Sequence, residues 1–381
     1  MHILHVSDGY STHDHRLLGQ LSRRGRVSFL PLRATGRLER RPLPEGVGEL
    51  ALPHPPGPPE NPAFTSAVAA LRRLLAEHGV DAVQAGPLQG PGQLVAASGF
   101  HPFVLLSMGS DILTEAWRDA RSQESAAATL RAADGLVCDC RAVAAAARRL
   151  ADIPGDRTVV LPYGVEEAFL EPGRDAALRR ELGFGDGSFL VLACRSFEPV
   201  YDVPTVVAAF GLAAARDPRL CLALAGDGSE AGAVRRAVER CGAGHRIVLP
   251  GRLSQAALRR FYRGSDCYLT GSRSDGSSVS LLEAMAAGLP VVASDIPGNR
   301  EWVAAGRTGR LFPVGDPAAA ARALLAVAAM DGRARTAMGE QGRRTVRRRA
   351  VWNDNVERLH TFYNALEDRL KRAGNREGGP Q

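Results

Sequence analysis

Lysine is almost absent from this chain of 381 residues, in which Lys371 is the only example and arginine carries nearly all of the positive charge. This shortage, together with many alanines, glycines and prolines, indicates a GC-rich genome more than a special chemistry. Arginine suits two-pronged contacts with phosphate, although most arginines lie solvated on helices. The net charge of +7 favours anionic ligands or an acidic lipid surface.

Aromatic residues are also scarce, at 6% of the chain, and they are scattered. No recognised nucleic-acid module accompanies them, so nucleic acid is not expected as a partner. Long apolar runs are missing as well, since none approaches the roughly 18 to 20 residues of a membrane span. The N-terminus has no basic segment followed by an apolar core. We therefore expect a cytoplasmic protein with at most peripheral membrane contact.

Cysteine pairs that would form a zinc site are lacking. The six cysteines are dispersed, and only Cys138 and Cys140 lie close together, without a matching Cys or His pair. Their expected role is that of small buried apolar side chains in a reducing cytosol. The sequence thus predicts no metal site and no cofactor.

Short apolar segments alternate with helical patterns in two successive blocks. Residues 2–6 and 103–107 are predicted strands of the first block, and residues 189–194 open the second. Such alternation predicts an α/β fold with two Rossmann-like parallel-sheet domains. The expected divisions are a first domain at 1–165, a linker at 166–188, a second domain at 189–345, and a final helix and tail at 346–381.

The segment 271–302 has the clearest chemical pattern. Asp275 and Glu283 lie eight residues apart, and Ser277 or Ser278 is the expected N-cap of a helix around Glu283. The free N–H groups and the dipole of that helix favour an anion, most often phosphate. The following Gly-Leu-Pro turn and buried strand place both carboxylates at the carboxyl edge of a parallel sheet, where open α/β folds bind ligands. A plainer alternative is that Asp275 caps the helix and Glu283 is an ordinary helical carboxylate.

This segment closely resembles the signature of the retaining GT-B glycosyltransferases of family 4. In that signature an acidic residue lies eight positions before the Glu of the motif LLEAMAxGxPVVAS. The resemblance implies two Rossmann-like domains that face a central cleft, with the last helix crossing back to the first domain. It also implies that Glu283 holds the ribose hydroxyls of a nucleotide sugar and that Asp275 contacts the donor sugar in the catalytic centre. Asp275 stands where the family usually has Glu, so its reach is shorter by one methylene.

Arg195 follows the first strand of the second block and matches a family arginine that clamps the donor diphosphate. The family's lysine a few residues later is replaced here by Tyr201. Loss of this cation matters because negative charge develops on the departing diphosphate in the transition state. Apart from the resemblance, Arg195 could simply pair with Glu198 or Asp202.

Backbone groups are expected to complete the donor site, again by resemblance. The residues concerned are Ser277, Ser278 and Val279 for the diphosphate, Gly226 in the AGDG turn, and Arg252 and Leu253 beside the nucleobase. Glycine at a strand-to-helix turn needs no ligand to explain it, so Gly226 also has a purely structural explanation.

The loop after the first strand, SDGYSTHDH, is polar and lacks the Gly-x-Gly-x-x-Gly spacing of dinucleotide sites. In the resembled family this loop borders the cleft, so Gly9 and Asp14 are expected on the acceptor side and His13 as a catalytic residue. Capping of the next helix by Asp14 and Thr12, with His13 solvated, is an equally good explanation.

A second turn, Met108-Gly109-Ser110-Asp111, follows the predicted strand at 103–107. The family commonly carries His-Gly here, with the His near the donor sugar. Met108 stands in place of that His, which moves the catalytic expectation to Asp111. Ser110 and Asp111 could equally cap the helix that follows.

The resemblance therefore implies transfer of a sugar, most simply from a UDP-sugar, to a hydroxyl acceptor with retained configuration. No Asp-x-Asp occurs in the chain, so the metal-bridging carboxylates of the other main glycosyltransferase fold are missing and the reaction is expected to need no metal. Three alternatives remain: an epimerase-like enzyme, a non-catalytic nucleotide-sugar-binding protein, and a peripheral membrane protein that binds through arginines 347–349.

Overall fold

The structure is a computed structural model that describes residues 1–33, 39 and 41–377. It divides into two units, of which the first joins Met1–Pro162 to the chain from Val356 onward and the second is Tyr163–Asn355. The segment 166–188, expected as a linker, lies in the second unit, where Leu178 is buried in the core. None of the helices in the described part of the chain combines the length and apolar character needed to cross a bilayer.

Each unit is built on one sheet in which every pair of neighbouring strands is parallel. The first sheet contains β1 His2–Ser7, β2 Arg26–Pro31, β3 Val47–Glu49, β4 Ala82–Gly86, β5 Phe103–Leu106, β6 Gly135–Cys138 and β7 Thr158–Val160, in the order β3-β2-β1-β4-β5-β6-β7. The second contains β8 Phe189–Cys194, β9 Leu220–Ala225, β10 Ile247–Gly251, β11 Cys267–Thr270, β12 Val291–Ser294 and β13 Gly309–Phe312, in the order β10-β9-β8-β11-β12-β13.

Helices connect the strands. They are α1 Thr12–Leu21, α2 Pro62–Glu77, α3 Gln93–Ser98, α4 Ser110–Leu113, α5 Ala120–Ala132, α6 Arg141–Ala151, α7 Leu178–Glu181, α8 Val203–Ala214, α9 Ala231–Arg240, α10 Gln255–Gly264, α11 Val279–Ala286, α12 Pro297–Arg300, α13 Pro317–Ala328, α14 Gly332–Arg349 and α15 Trp352–Glu377. The alternation confirms the predicted fold class of two parallel-sheet α/β domains.

The central strands are almost continuously apolar, because helices leave neither face of a parallel sheet in water. All six residues of β9, LCLALA, are buried, as are all four of β5, FVLL. Strand order reverses direction between β1 and β4 in the first sheet, and between β8 and β11 in the second. Loops that leave the carboxyl ends of such strand pairs diverge, and the crevice between them is where open α/β sheets bind ligands.

One helix boundary and one strand differ from the sequence prediction for local reasons. The sequence pattern predicts the first helix over residues 16–24, but α1 begins at Thr12, because Ser11 is its N-cap and Asp14 completes a capping box with it. Strand β3 was not expected, since its three residues are half-buried or exposed and include a glycine.

The final helix α15 packs on the first sheet. A Cβ atom at Gly135 on β6 would lie 2.9 Å from the Phe362 ring, so the helix approaches this strand as closely as a glycine allows. The Tyr363 hydroxyl donates a hydrogen bond to the side chain of Gln84 on β4, and Leu366 is buried. The chain's last helix is therefore part of the core of its first unit.

Close packing of α14 on the turn after α11 yields a stability prediction. A Cβ at Gly339 would lie 1.8 Å from the Gly288 carbonyl oxygen, whereas a Cβ at Gly332, on the same helix, would meet nothing within 4 Å. We expect Gly339→Ala to lower the free energy of unfolding of the second unit by about 1–3 kcal/mol, the usual cost of overpacking. The matched change Gly332→Ala should be neutral or slightly stabilising. Equal urea midpoints for the two variants would contradict this packing.

Candidate active site

Arg195 is the centre of the polar cluster in the second unit. It follows β8, and its Nη2 lies 2.7 Å from Oδ2 of Asp275, in the loop after β11, with both side chains only 12–13% exposed. Nη1 donates to the hydroxyls of Ser278 (2.8 Å) and Ser280 (3.2 Å). The two loops at the strand reversal of this sheet are thereby joined through one guanidinium.

The predicted alternatives for Arg195 are wrong. Glu198 accepts hydrogen bonds from the backbone and hydroxyl of Ser229, and Asp202 pairs with Arg273 at 2.9 Å. Asp275 does not cap α11 either, because the N-cap position belongs to Ser278. The carboxylate that pairs with Arg195 is therefore that of Asp275.

Burial and pairing act in opposite directions on this ion pair. Burial disfavours the charged guanidinium, but the Asp275 carboxylate together with smaller contributions from Tyr201, Tyr268 and Cys194 outweighs it, so the pKa of Arg195 is raised. Burial also raises the pKa of Asp275, and the charge of Arg195 offsets only part of that effect. Asp275 is therefore a carboxylate whose ionised form depends on its arginine partner.

Tyr201 lies against the guanidinium of Arg195. The Cζ atom of Arg195 is 3.7 Å from the centroid of the Tyr201 ring, within the range of a cation–π contact. The Tyr268 hydroxyl donates to Ser280 at 2.8 Å, which fixes one of the hydroxyls that Arg195 uses. Tyrosine therefore occupies the position at which the family resemblance placed a second cation.

Glu283 lies one helical turn into α11 and is 4% exposed. The Tyr262 hydroxyl donates to its Oε2 at 3.1 Å, and burial together with the charge of Glu283 raises the pKa of Tyr262, which keeps it a donor. A buried carboxylate with an oriented hydroxyl partner is a preorganised acceptor for further hydroxyl groups. Asp275 and Glu283 thus lie at the two ends of the short segment 275–283, and Arg195 pairs with Asp275 at its first end.

The hydroxyl of Ser277 accepts a hydrogen bond from Trp302 Nε1 at 3.0 Å, so its side chain supports the loop. Val279 is the first residue of α11, whose N-cap Ser278 makes no side-chain capping bond because its hydroxyl serves Arg195. The first backbone N–H groups of the helix therefore lack the usual side-chain acceptor. This is the geometry in which a helix start binds an anion.

The remaining predicted donor residues lie at the ends of β9 and β10. Gly226 adopts φ +147°, and a Cβ there would lie 1.9 Å from the Arg195 carbonyl oxygen, so the glycine is required to let the loops after β8 and β9 meet. Arg252 is exposed, and Leu253 packs partly buried against the core. The structure places Gly226 beside Arg195 through its backbone, which supports the structural explanation of that glycine.

In the first unit, Asp14 has a structural role. It is 2% exposed, His5 Nε2 lies 2.8 Å from its Oδ1, and Ser11 donates to its Oδ2 through both backbone and hydroxyl. Burial works against its charged form, but these partners outweigh it and the pKa of Asp14 is lowered. Gly9 lies half-buried in the same loop, and His13 is half-buried on α1. Thr12, the other predicted cap, instead donates to Glu39 at 3.0 Å.

Asp111 is likewise enclosed. Its carboxylate accepts bonds from the backbone of Leu88, Met108 and Ile112 at 3.0–3.1 Å and from the hydroxyl of Ser107 at 2.8 Å. Burial raises its pKa, and the four donors offset part of that effect. Asp111 therefore ties the loop after β4 to the loop after β5, as a structural residue would.

The residue that the sequence did not single out is Asp8. It lines a pocket of about 320 Å³ at the strand reversal of the first sheet, together with Arg33, Gln89, Met108 and Ser110 among others. Burial raises the pKa of Asp8, and Arg33 offsets this in part. Unlike Asp14 and Asp111, its carboxylate accepts no hydrogen bond from another described residue.

The chain matches two family models. Residues 7–169 match the model described as Glycosyltransferase Family 4, and residues 175–345 match the one described as Glycosyl transferases group 1. Together they cover most of the chain, and it belongs to the group 1 glycosyltransferases of the GT-B fold.

Solved structures share this fold along almost the whole chain. HepE from Anabaena, in a complex with UDP and glucose, superposes on 96% of this chain and 100% of its own, with a TM-score of 0.80 and 18% identity. Sucrose-phosphate synthase from Thermosynechococcus elongatus superposes on 97% of this chain and 100% of its own, with a TM-score of 0.79 and 20% identity. At this identity the likeness shows the GT-B fold of two Rossmann-like domains.

Relatives in sequence match over shorter stretches. A D-inositol 3-phosphate glycosyltransferase from Geodermatophilus obscurus is 31% identical over 243 residues, which is 60% of this chain and 53% of the relative. The GtfA subunit of a UDP-N-acetylglucosamine–peptide N-acetylglucosaminyltransferase from Streptococcus gordonii is 40% identical over 110 residues, 29% of this chain and 21% of the relative. The chain thus spans between about a fifth and about half of these relatives.

The structural role of Asp111 is testable by stability alone. Asp111→Asn places an amide NH₂ where one oxygen accepted a backbone N–H, so we expect the free energy of unfolding of the first unit to fall by about 1–3 kcal/mol. The same substitution at Asp119, an exposed N-cap of α5, should cost almost nothing, because Asn caps as well as Asp. Urea unfolding of both variants measures the difference. An unchanged midpoint for Asp111→Asn would show that its four donors contribute no net stability.

Proposed function

We propose that this chain transfers a sugar from a UDP-sugar to a hydroxyl-bearing acceptor, with retained anomeric configuration and without a metal ion. The observation that carries the proposal is the cluster of Arg195, Ser278 and Ser280 at the start of α11, one turn from the buried carboxylate of Glu283. The cluster offers a cation and free helix N–H groups to a diphosphate, and an acceptor carboxylate to ribose hydroxyls.

UDP is the proposed nucleotide because HepE and other GT-B structures of the same fold were solved with it. In our proposal Glu283 accepts hydrogen bonds from the ribose, Arg195 and the N–H groups of Ser278 and Val279 bind the diphosphate, and Asp275 faces the sugar. Backbone groups near Arg252 and Leu253 would contact the base.

In the reaction the acceptor oxygen replaces the β-phosphate oxygen at the anomeric carbon, the hydroxyl proton is released, and UDP departs as an anion. Negative charge grows on the β-phosphate as that bond breaks. A fixed guanidinium and a helix start stabilise this charge in the transition state without reorganisation. Metal independence rests on this positive potential and on the absence of an Asp-x-Asp pair from the sequence.

Asp8 is the proposed acceptor-side carboxylate. It lines a pocket of the first unit together with an amide, a hydroxyl, one arginine and the carboxylate of Glu115, groups that hydrogen-bond to a polyhydroxylated molecule. Asp14 and Asp111 are engaged by their neighbours, so Asp8 replaces them in this role. The acceptor side is thus assigned to the first unit and the donor side to the second.

Nucleotide binding is tested first, by thermal unfolding with UDP, GDP, ADP or dTDP, each with and without EDTA. At 100 times its dissociation constant a ligand adds about 2.7 kcal/mol of stability. We expect an increase in the unfolding temperature with UDP that EDTA leaves unchanged.

Glu283→Gln should weaken UDP binding by about 10- to 100-fold, since a hydrogen bond to a charged group contributes about 1.5–3 kcal/mol. Glu239→Gln, an exposed change on α9 of the same unit, is the control. A shift that disappears with EDTA and returns with Mg²⁺ would contradict metal independence, and no shift with any nucleotide would contradict the donor site.

Turnover is tested next, with UDP-glucose and a panel of hydroxyl acceptors, by UDP release and by the anomeric proton signal of the product. We expect an α-linked product, and Asp8→Asn should lower kcat/KM for the acceptor by about 10- to 100-fold while UDP binding stays the same. Glu77→Gln, exposed on α2, is the matched control. A changed donor sugar without any acceptor would indicate an epimerase, and UDP binding without turnover a non-catalytic protein.

A further inference from the structure

Tyr201 stands where the resembled family carries a second diphosphate-binding cation, and it lies on the guanidinium of Arg195. We propose that Tyr201 is a positioning residue: its ring holds Arg195 in the orientation that binds the donor diphosphate, so that one fixed cation replaces two. The inference rests on the proposed function, because it concerns the same donor site.

The contacts of Arg195 show what each partner contributes. Asp275 binds Nη2, the hydroxyls of Ser278 and Ser280 bind Nη1, and the Tyr201 ring covers one face at 3.7 Å. The Nε atom is buried and has no hydrogen-bond partner among the described residues. The guanidinium therefore depends on the ring as well as on hydrogen bonds at its end.

These partners differ in how they respond to an incoming anion. Asp275 is negatively charged, so it competes with a diphosphate for the same cation. Burial already raises the pKa of Asp275, and the ionised form becomes still less favourable when a second anion lies beside it. An aromatic ring attracts a cation through its quadrupole and carries no net charge. The stack consequently persists in the free and the bound states, whereas the ion pair must weaken on binding.

The position of the ring is itself fixed. Tyr201 ends a short helical turn, Pro199–Tyr201, and Asp202 follows in the left-handed region at φ +45°. Arg273 clamps this turn, because its backbone N–H donates to the Val200 carbonyl at 2.8 Å and its side chain pairs with Asp202. The Tyr201 ring is also partly buried against the core of the second unit. A lysine ammonium at the same place would lie beside Arg195 and repel it.

The test compares UDP dissociation constants, measured by calorimetry on the full chain, for four residues at position 201. Tyr201→Phe keeps the stack and should bind UDP within about twofold of the parent. Tyr201→Leu removes it and should weaken binding by roughly 5- to 30-fold, which is the range of a desolvated cation–π contact. Replacement by 3,4,5-trifluorophenylalanine preserves the ring shape but withdraws its electron density, and should give an intermediate loss even if the Leu variant folds poorly.

A double-mutant cycle separates this role from a merely structural one. In the background of Arg195→Gln, Tyr201→Leu should change UDP affinity by less than twofold, because the ring then has no cation to hold. The Phe variant should also keep the parent's kcat.

Three results would overturn the inference while leaving the donor site intact: UDP affinity indifferent to residue 201, a Phe variant as weak as the Leu variant, or no effect of ring fluorination. An equal loss from Tyr201→Leu with and without Arg195 would overturn it as well. Failure of the parent chain to bind UDP at all would overturn the proposed function, and this inference with it.

Discussion

A buried arginine must be neutralised and hydrogen-bonded, or the unit that contains it does not fold stably, and this constraint on Arg195 shapes the second unit's site. The desolvation of a charge costs several kcal/mol unless its partners are well placed. Asp275, Ser278 and Ser280 meet that requirement, and they all come from the segment that opens α11. To reach them, the loop after β8 must approach the loop after β11. On its other side the loop after β8 passes so close to the loop after β9 that Gly226 is needed to make room for the Arg195 carbonyl. The helix start and Glu283 are positioned as a consequence.

The fold, and the clustering of the residues in the proposed donor site, were largely predictable because their signals are local. Buried parallel strands are short apolar runs, and the strand predicted at residues 189–194 has the same bounds in the structure, Phe189–Cys194. Asp275, Ser278 and Glu283 lie within nine residues of one another, so the length of the connecting chain already limits their separation. Arg195 was linked to them only through resemblance, since its partners are 80 to 85 residues away in sequence.

The proposed acceptor side was less predictable because three aspartates in similar loops have different surroundings. Asp14 lies three residues after Ser11 and Asp111 directly after Ser110, both near a helix start, a pattern that fits capping and catalysis equally. Only the structure shows that His5, on the buried face of β1, and the Leu88 backbone, from another loop, satisfy them. Asp8 precedes the capping box and carries no distinctive pattern, yet it faces the pocket. Long-range partners decide such cases, and sequence spacing does not encode them.

The placement of α15 determines when, during synthesis, the first unit can complete its packing. The second unit is one continuous stretch, whereas the first needs residues from Val356 onward to cover Gly135 with Phe362 and to give Gln84 its Tyr363 partner. During synthesis these positions on β6 and β4 therefore lack their α15 partners until the whole second unit has been translated. A nascent chain stalled before α15 therefore lacks part of the packing of its first unit, even though residues 1–162 have already been made.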